Sequence, residues 1–210
     1  MKIDCIMLGC FQTNAYVVRH RDQAGPCVVI DPGLESEALM DFLRSGSLKP
    51  DAVILTHGHM DHIAGVVEVV KAFPEVKLYV HRIEAPMLSD PVANLSAFMA
   101  APCEVGQPNA LVDDGQIIEE AGLRLRVIHT PGHTPGGMSL YSEMDDVLFT
   151  GDTLFNESIG RTDFPGGDHA ELVAGIRQNL LVLPEQTQVY PGHGPATTIG
   201  WERCHNPFLK

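Results

Sequence analysis

A mixed α/β fold is predicted for this chain of 210 residues. Three observations carry the expectation. Short apolar runs rich in β-branched residues, such as Ala52-Val53-Ile54-Leu55, read as buried strands. Between such runs lie stretches whose apolar residues repeat at helical spacing, as Leu172, Val173, Ile176 and Leu180 do. Several strand-like runs also end in loops bearing histidine or aspartate, the place where ligands collect in open α/β architectures. The length suits one domain, 1–210, with a sizeable core.

In chain order, residues 2–8, Asn14 to Val18 and Cys27 to Ile30 read as strands. The turn Arg21 to Pro26 makes the last two an antiparallel hairpin. Asp31-Pro32-Gly33 closes this unit, with Asp31 either holding a ligand-bearing loop or capping the turn. Residues 35–45 form an amphipathic helix that stops near Gly46. The strand 52–55 comes next, followed by a helix from Ile63 that ends near Pro74. Lys77 to Val80 is a further strand, and His81 after it reads as a structural histidine.

Residues 89–110, with Leu95, Phe98 and Met99, are a substrate-facing loop or a small packed excursion, the second being preferred. A second sheet is expected to begin near Leu111, and Asp113-Asp114-Gly115 is a turn. Leu123, Leu125 and Val127 alternate with Arg124, Arg126 and Ile128 as in a partly buried strand. That strand leads into a loop dense in glycine and proline that carries His133. Strands around 139–141 and 147–149, joined at Asp145-Asp146, lead to Asp152. The loop 160–168, a helix over roughly 168–181 and a final strand, Gln188 to Tyr190, lead to His193.

The densest chemistry is Thr56-His57-Gly58-His59-Met60-Asp61-His62, directly after a strand. On a helix, His57 and His59 would point roughly 200° apart at 3.6 residues per turn. On an extended loop, residues two apart face the same side, and both reach one ion. Asp61 and His62, where a helix begins, diverge from that pair and suit a second, adjacent ion. Imidazole with carboxylate selects zinc, iron or manganese over calcium. The competing reading is a polar turn that happens to be rich in histidine.

Composition narrows the function classes. Hydrophobic residues at 44% and charged residues at 20% describe a soluble globular chain. A net charge of -13 disfavours a nucleic-acid partner, which wants a basic face, but leaves room for a small anionic substrate at a metal centre. Cys5, Cys10, Cys27, Cys103 and Cys204 are odd in number, scattered and without C-x-x-C, as expected of reduced thiols in the cytoplasm. No apolar stretch approaches the roughly 20 residues of a membrane span, and Met1 to Asp4 lacks the build of a signal peptide. No G-x-S-x-G elbow is present, which favours a metal-activated water as nucleophile.

The ordered set Thr-His-x-His-x-Asp-His (56–62), Pro-Gly-His-Thr-Pro-Gly (131–136), Gly-Asp-Thr-Leu-Phe (151–155) and Pro-Gly-His-Gly-Pro (191–195) resembles the metallo-β-lactamase superfamily. The glyoxalase II-like branch (hydroxyacylglutathione hydrolases) is the most similar. The flanking strands and Asn206-Pro207-Phe208-Leu209 extend the resemblance over essentially the whole chain. It implies a four-layer αβ/βα sandwich, two mixed sheets flanked by helices, with two divalent ions, most simply zinc, on one edge.

By the same resemblance, His57, His59 and His133 hold one ion, Asp61, His62 and His193 the other, and Asp152 bridges them. Asp61 and Asp152 are the carboxylates implied in catalysis. A bridging hydroxide would attack a thioester of the lactoylglutathione type, whose thiolate needs no dedicated general acid. Residues 196–210 offer only Arg203 and Lys210 as basic side chains, so the short type is expected, without a C-terminal helical glutathione-binding region. Arg161 is expected to anchor Asp163 or Asp168, and otherwise to pair with a substrate carboxylate. The alternatives are sulfur oxidation of the mononuclear-iron persulfide dioxygenase type, which the Gly-Arg-Thr-Asp-Phe stretch resembles, hydrolysis of another small ester or lactone, and a non-catalytic binding member of the fold.

Overall fold

The computed structural model describes residues 1–21, 23–99 and 102–210. Asp22 of the expected Arg21–Pro26 turn, and Ala100 and Ala101 of the 89–110 stretch, lie outside the described residues. Two six-stranded mixed sheets stack face to face, with helices on both outer sides.

The first sheet runs in chain order through β1 (Lys2–Leu8), β2 (Thr13–Arg19), β3 (Gly25–Ile30), β4 (Leu48–Ile54), β5 (Lys77–His81) and β6 (Ala110–Val112). Its first two pairings are antiparallel and the remaining three parallel. Helix α1 (Glu37–Ser45) joins β3 to β4, and α2 (Met60–Ile63) and α3 (Val66–Ala72) join β4 to β5. In the second sheet β7 (Ile117–Glu120), β8 (Leu123–His129), β9 (Met138–Ser142) and β10 (Val147–Gly151) form an antiparallel meander. A small ribbon, β11 (Leu154–Phe155) with β12 (Ser158–Ile159), follows, and then helix α4 (His169–Gly175). Strand β13 (Gln188–Pro191) pairs parallel to β10, and β14 (Thr197–Thr198) closes the sheet before α5 (Ile199–His205).

The layering follows from the period-2 alternation of the strands. On β2, Ala15 and Val17 join Leu39 and Leu43 of α1 and Val66 and Val69 of α3 in one core. Their neighbours Tyr16 and Val18 point the other way, into a core shared with Leu123, Leu125 and Val127 of β8. Beyond the second sheet, Leu148 and Val189 pack under Leu172 of α4 and Ile199 of α5. Each side chain buried this completely contributes roughly 1.5–3 kcal/mol. Between the sheets Tyr16 stands 5.3 Å from Phe149 and 5.7 Å from Tyr190, and its hydroxyl donates to the carbonyl of Pro191 at 2.6 Å. That bond ties β2 to the end of β13, two residues before His193.

Four expectations need correction. The single helix from Ile63 is two, because Gly65 lies against the Asp31–Gly33 turn. Its N–H bonds the carbonyl of Pro32 at 2.8 Å, and a Cβ there would stand 2.6 Å from the oxygen of Gly33. Leu111 belongs to the edge of the first sheet, paired with β5, so the second sheet begins at Ile117. The helix near 168–181 is α4, capped by Asp168 accepting from the N–H of Glu171, continued by one π turn over Ile176–Leu180. Strand 188–190 is not the last, since β14 and α5 follow it, and Thr198 caps α5.

A matched pair of substitutions tests this packing. Gly65→Ala forces the Asp31–Gly33 turn away from α3 and is expected to cost about 1–3 kcal/mol. Gly175→Ala, with open space at its Cβ and helical backbone, is expected to gain about 0.5–1 kcal/mol. Urea unfolding of the two variants reads both signs.

Candidate metal centre

Strand β4 carries the chain to Thr56, and His57 to His59 continue extended, with φ -68° and ψ 144° at His59. Extension brings both imidazoles to one side, their ring centres 4.9 Å apart. His133, on the loop after β8, completes a triangle at 4.9 Å from His57 and 4.6 Å from His59. Asp61 and His62 turn away on α2 and meet His193 from the loop after β13, with His193 Nε2 3.2 Å from Asp61 Oδ2 and 3.3 Å from His62 Nε2. All three donor atoms in each triad lie within 4.8 Å of one another.

Asp152, just past β10, stands between the triads. Its Oδ1 is 3.4 Å from His62 Nε2, while its Oδ2 is 3.6 Å from His133 Nε2 and 3.5 Å from His193 Nε2. A Cβ at Gly192 would come within 2.3 Å of Asp152 Oδ1, so only glycine lets β10 and β13 deliver both ligands. The seven residues read from the sequence are thus all brought together.

The donor set fits divalent cations. A tetrahedral ion bound at about 2.0–2.1 Å separates its ligand atoms by roughly 3.4 Å, and the spacings of Asp61, His62, His193 and Asp152 lie close to that. His57 Nε2, His133 Nε2 and Asp152 Oδ1 are buried with no hydrogen-bond partner among the described residues. Such orphaned atoms cost roughly 1–3 kcal/mol each unless something binds them. The far sides of the rings are held: His62 Nδ1 by Asp31 at 3.0 Å, His133 Nδ1 by the Arg161 carbonyl at 2.7 Å, and His193 Nδ1 by the Phe11 carbonyl at 3.1 Å. An acceptor at Nδ1 keeps the proton there and leaves Nε2 free to ligate.

Asp31 falls within reach of His57 and His62, yet both its oxygens are committed. Oδ1 accepts from the Thr56 N–H at 2.8 Å, and Oδ2 from the Thr56 hydroxyl at 2.6 Å and from His62. It is therefore the loop holder of the two readings.

Burial and then the neighbouring imidazoles hold His57 well below its ordinary value and push His59 down to about 3, so both are neutral and able to ligate a cation. Burial opposes charge on Asp61 and Asp152, but His62 and His193 outweigh it and keep both carboxyls below the usual range. Burial likewise opposes charge on His62 and His193, and the two carboxylates prevail and raise both. A cation displaces those imidazole protons, so its affinity increases with pH.

Sequence reasoning missed Glu84. It is fully buried in the turn after β5, accepting from the N–H of Gly58 at 2.8 Å and of Gly136 at 2.7 Å. One carboxylate thereby ties the His57–His59 loop to the His133 loop. Nothing local in the sequence marks it. Thr13, donating to Asp61 at 3.1 Å, escaped notice too. His81 stays apart from the ligands, stacked on His129 at 4.2 Å. Arg161 grips Asp163 with two 2.7 Å bonds, while Asp168, its other expected partner, caps α4 instead.

Two mixed sheets between helices, with a histidine and aspartate centre on their shared edge, define a class of metal-dependent hydrolases. The chain belongs to the metallo-beta-lactamase superfamily, whose family model matches residues 8–193. BLEG-1 B3 metallo-beta-lactamase superimposes with a TM-score of 0.93 at 44% identity, covering 99% of both chains. TTHA1623 in a di-iron-bound form gives 0.87 at 37% identity, covering 98% of this chain and all of that one. Hydroxyacylglutathione hydrolase GloC of Haemophilus influenzae is 34% identical over 212 residues, covering 100% of this chain and 99% of that protein. Among the described residues, no helix is long and apolar enough to cross a membrane.

Glu84→Ala is expected to leave two buried N–H groups unpaired, costing roughly 2–5 kcal/mol, and to weaken metal binding roughly 10–100-fold. His81→Ala leaves metal stoichiometry unchanged. Elemental analysis after dialysis against a weak chelator distinguishes the two, and metal loss from the His81 variant would show that residue to be misassigned.

Proposed function

We propose that the chain is a metal-dependent hydrolase of thioesters, of the hydroxyacylglutathione type that includes lactoylglutathione. His57, His59 and His133 would hold one ion and Asp61, His62 and His193 a second, with Asp152 available to both. The placement of Asp152 between the triads is the observation that carries this reading. Zinc suits the donor set, and the di-iron form of TTHA1623 supports two ions. Bound divalent ions supply a water acidic enough to act as a nucleophile near neutral pH, and an electrophile for the carbonyl oxygen.

The chain's own residues do the rest. Asp31, the Arg161 carbonyl and the Phe11 carbonyl hold three imidazoles in one tautomer. Asp61 and Asp152 line the cavity over the centre and stay ionised, so each can accept a hydrogen bond from a nucleophilic water. A thiolate leaves unaided because its thiol pKa is near 8.5. The likeness to GloC supports the thioester as substrate.

The likeness to BLEG-1 favours a second reading, opening of a β-lactam amide at the same centre. An amine leaving group needs a proton that a thiolate does not, which favours the thioester.

The test is turnover of lactoylglutathione and of a chromogenic cephalosporin by one preparation whose metal content is known. Thioester turnover with about two ions per chain is expected, and Asp152→Ala is expected to lose at least about a hundredfold in kcat/KM together with part of its metal. An Asp152→Ala protein with unchanged turnover would sink the shared-ligand mechanism. Turnover of the cephalosporin alone would move the assignment to the lactam. No hydrolysis with a single iron bound would point to sulfur oxidation.

A further inference from the structure

The cavity over the ligand cluster has a volume of about 740 Å³. Its floor is His59, Asp61, His133, Asp152 and His193, and its walls are apolar: Phe11, Leu95, Phe98, Met99, Phe155 and Phe164. They come from four segments: the β1–β2 connection, the 89–110 stretch, β11 and the 160–168 loop. Phe98 is 76% exposed and Phe11 46%, so large apolar groups stand in water beside the cavity. Apolar surface clustered around a concavity with a polar floor marks where a ligand buries area.

Charge argues in the same direction. Among the described residues and outside the ligand set, Arg161 is the one cationic side chain lining the cavity. Its guanidinium is gripped by Asp163 and lies 4.0 Å from the ring centre of Phe164. A glutathionyl group brings two carboxylates and an ammonium, and the apolar walls offer those groups no partner. The net charge of -13 adds a field that slows the approach of anions.

We propose that this site selects its substrate through an uncharged apolar group, for which a phenyl ring serves as the probe, seated against Phe98 and Met99 beside the metal centre. This group, more than the carboxylates of a glutathionyl leaving group, sets the affinity. The inference rests on the thioesterase reading for the reaction, but its binding prediction stands apart from that chemistry. Packing in the 89–110 stretch supports it. Asn94 is fully buried, bonds the carbonyls of Met87 and Cys103, and passes its own carbonyl to the N–H of Met60 beside the ligands. The stretch is therefore a packed excursion at its base and a wall of the cavity at Phe98 and Met99. Each methylene buried there raises affinity roughly fourfold.

Calorimetry on the metal-loaded protein compares 2-phenylethanethiol with glutathione, two thiols matched in the group that reaches the metals. The aromatic thiol is expected to bind at least tenfold more tightly. Phe98→Ala should weaken it three- to tenfold and leave glutathione within twofold, and Phe98→Leu should restore most of the loss. Because Phe98 is exposed, these variants should fold. Glutathione binding as tightly as the aromatic thiol, or Phe98→Ala weakening both alike, overturns the proposal. The same preparations are then given lactoyl and phenylacetyl thioesters of glutathione and of N-acetylcysteamine. Phenylacetyl should exceed lactoyl on either thiol by at least tenfold in kcat/KM, with less than threefold between thiols. A tenfold loss on leaving glutathione overturns the selectivity and keeps the reaction. Thiol selectivity with no hydrolysis of any thioester removes the reaction and keeps the pocket.

Discussion

Buried nitrogen and oxygen atoms with no hydrogen-bond partner are the constraint on which this structure turns. His57 Nε2, His133 Nε2 and Asp152 Oδ1 converge at the rim where two sheets meet, and none of them makes a hydrogen bond among the described residues. Orphaned atoms that converge on one point are what a bound ion satisfies. The surroundings are built accordingly. β4, β10 and β13 each deliver a ligand-bearing loop to one edge, and the sheets are pinned there by Tyr16 and Asn14 bonding the Pro191 carbonyl at 2.6 and 3.0 Å. The inter-sheet core thus anchors the edge from which the ligand loops extend.

A second layer of contacts sets the chemistry. Asp31 sits at φ +50°, an uncommon backbone state for a residue with a side chain, and from there reaches both Thr56 and His62. Glu84 performs the matching task on the opposite side by joining two loops through their N–H groups. Removing either would leave the ligands present but loosely aimed. Precision in such a site resides largely in these supports.

Much of this was legible in the sequence, for identifiable reasons. His57 and His59 could be assigned to one ion because their spacing is local and the preceding strand dictates extension. His133, Asp152 and His193 were legible as residues at strand ends, since apolar runs and Gly-Pro loops mark those ends. What was not legible depends on contacts distant in sequence. Glu84 acquires its role from loops 26 and 52 residues away. The break before α3 is caused by the Gly33 carbonyl, and the three-residue β6 is placed by pairing with β5. The cavity walls also come from separate segments, so their shared apolar character is invisible until the chain folds.

The central claim is that two triads share Asp152 as a dinuclear centre. Anomalous diffraction from metal-loaded crystals, collected on both sides of the absorption edge of the added ion, tests it most directly. Two anomalous peaks are expected, one within bonding distance of His57, His59 and His133 and one of Asp61, His62 and His193, with an Asp152 oxygen on each side. A single peak at full loading, or two peaks with Asp152 bound to neither ion, would contradict it.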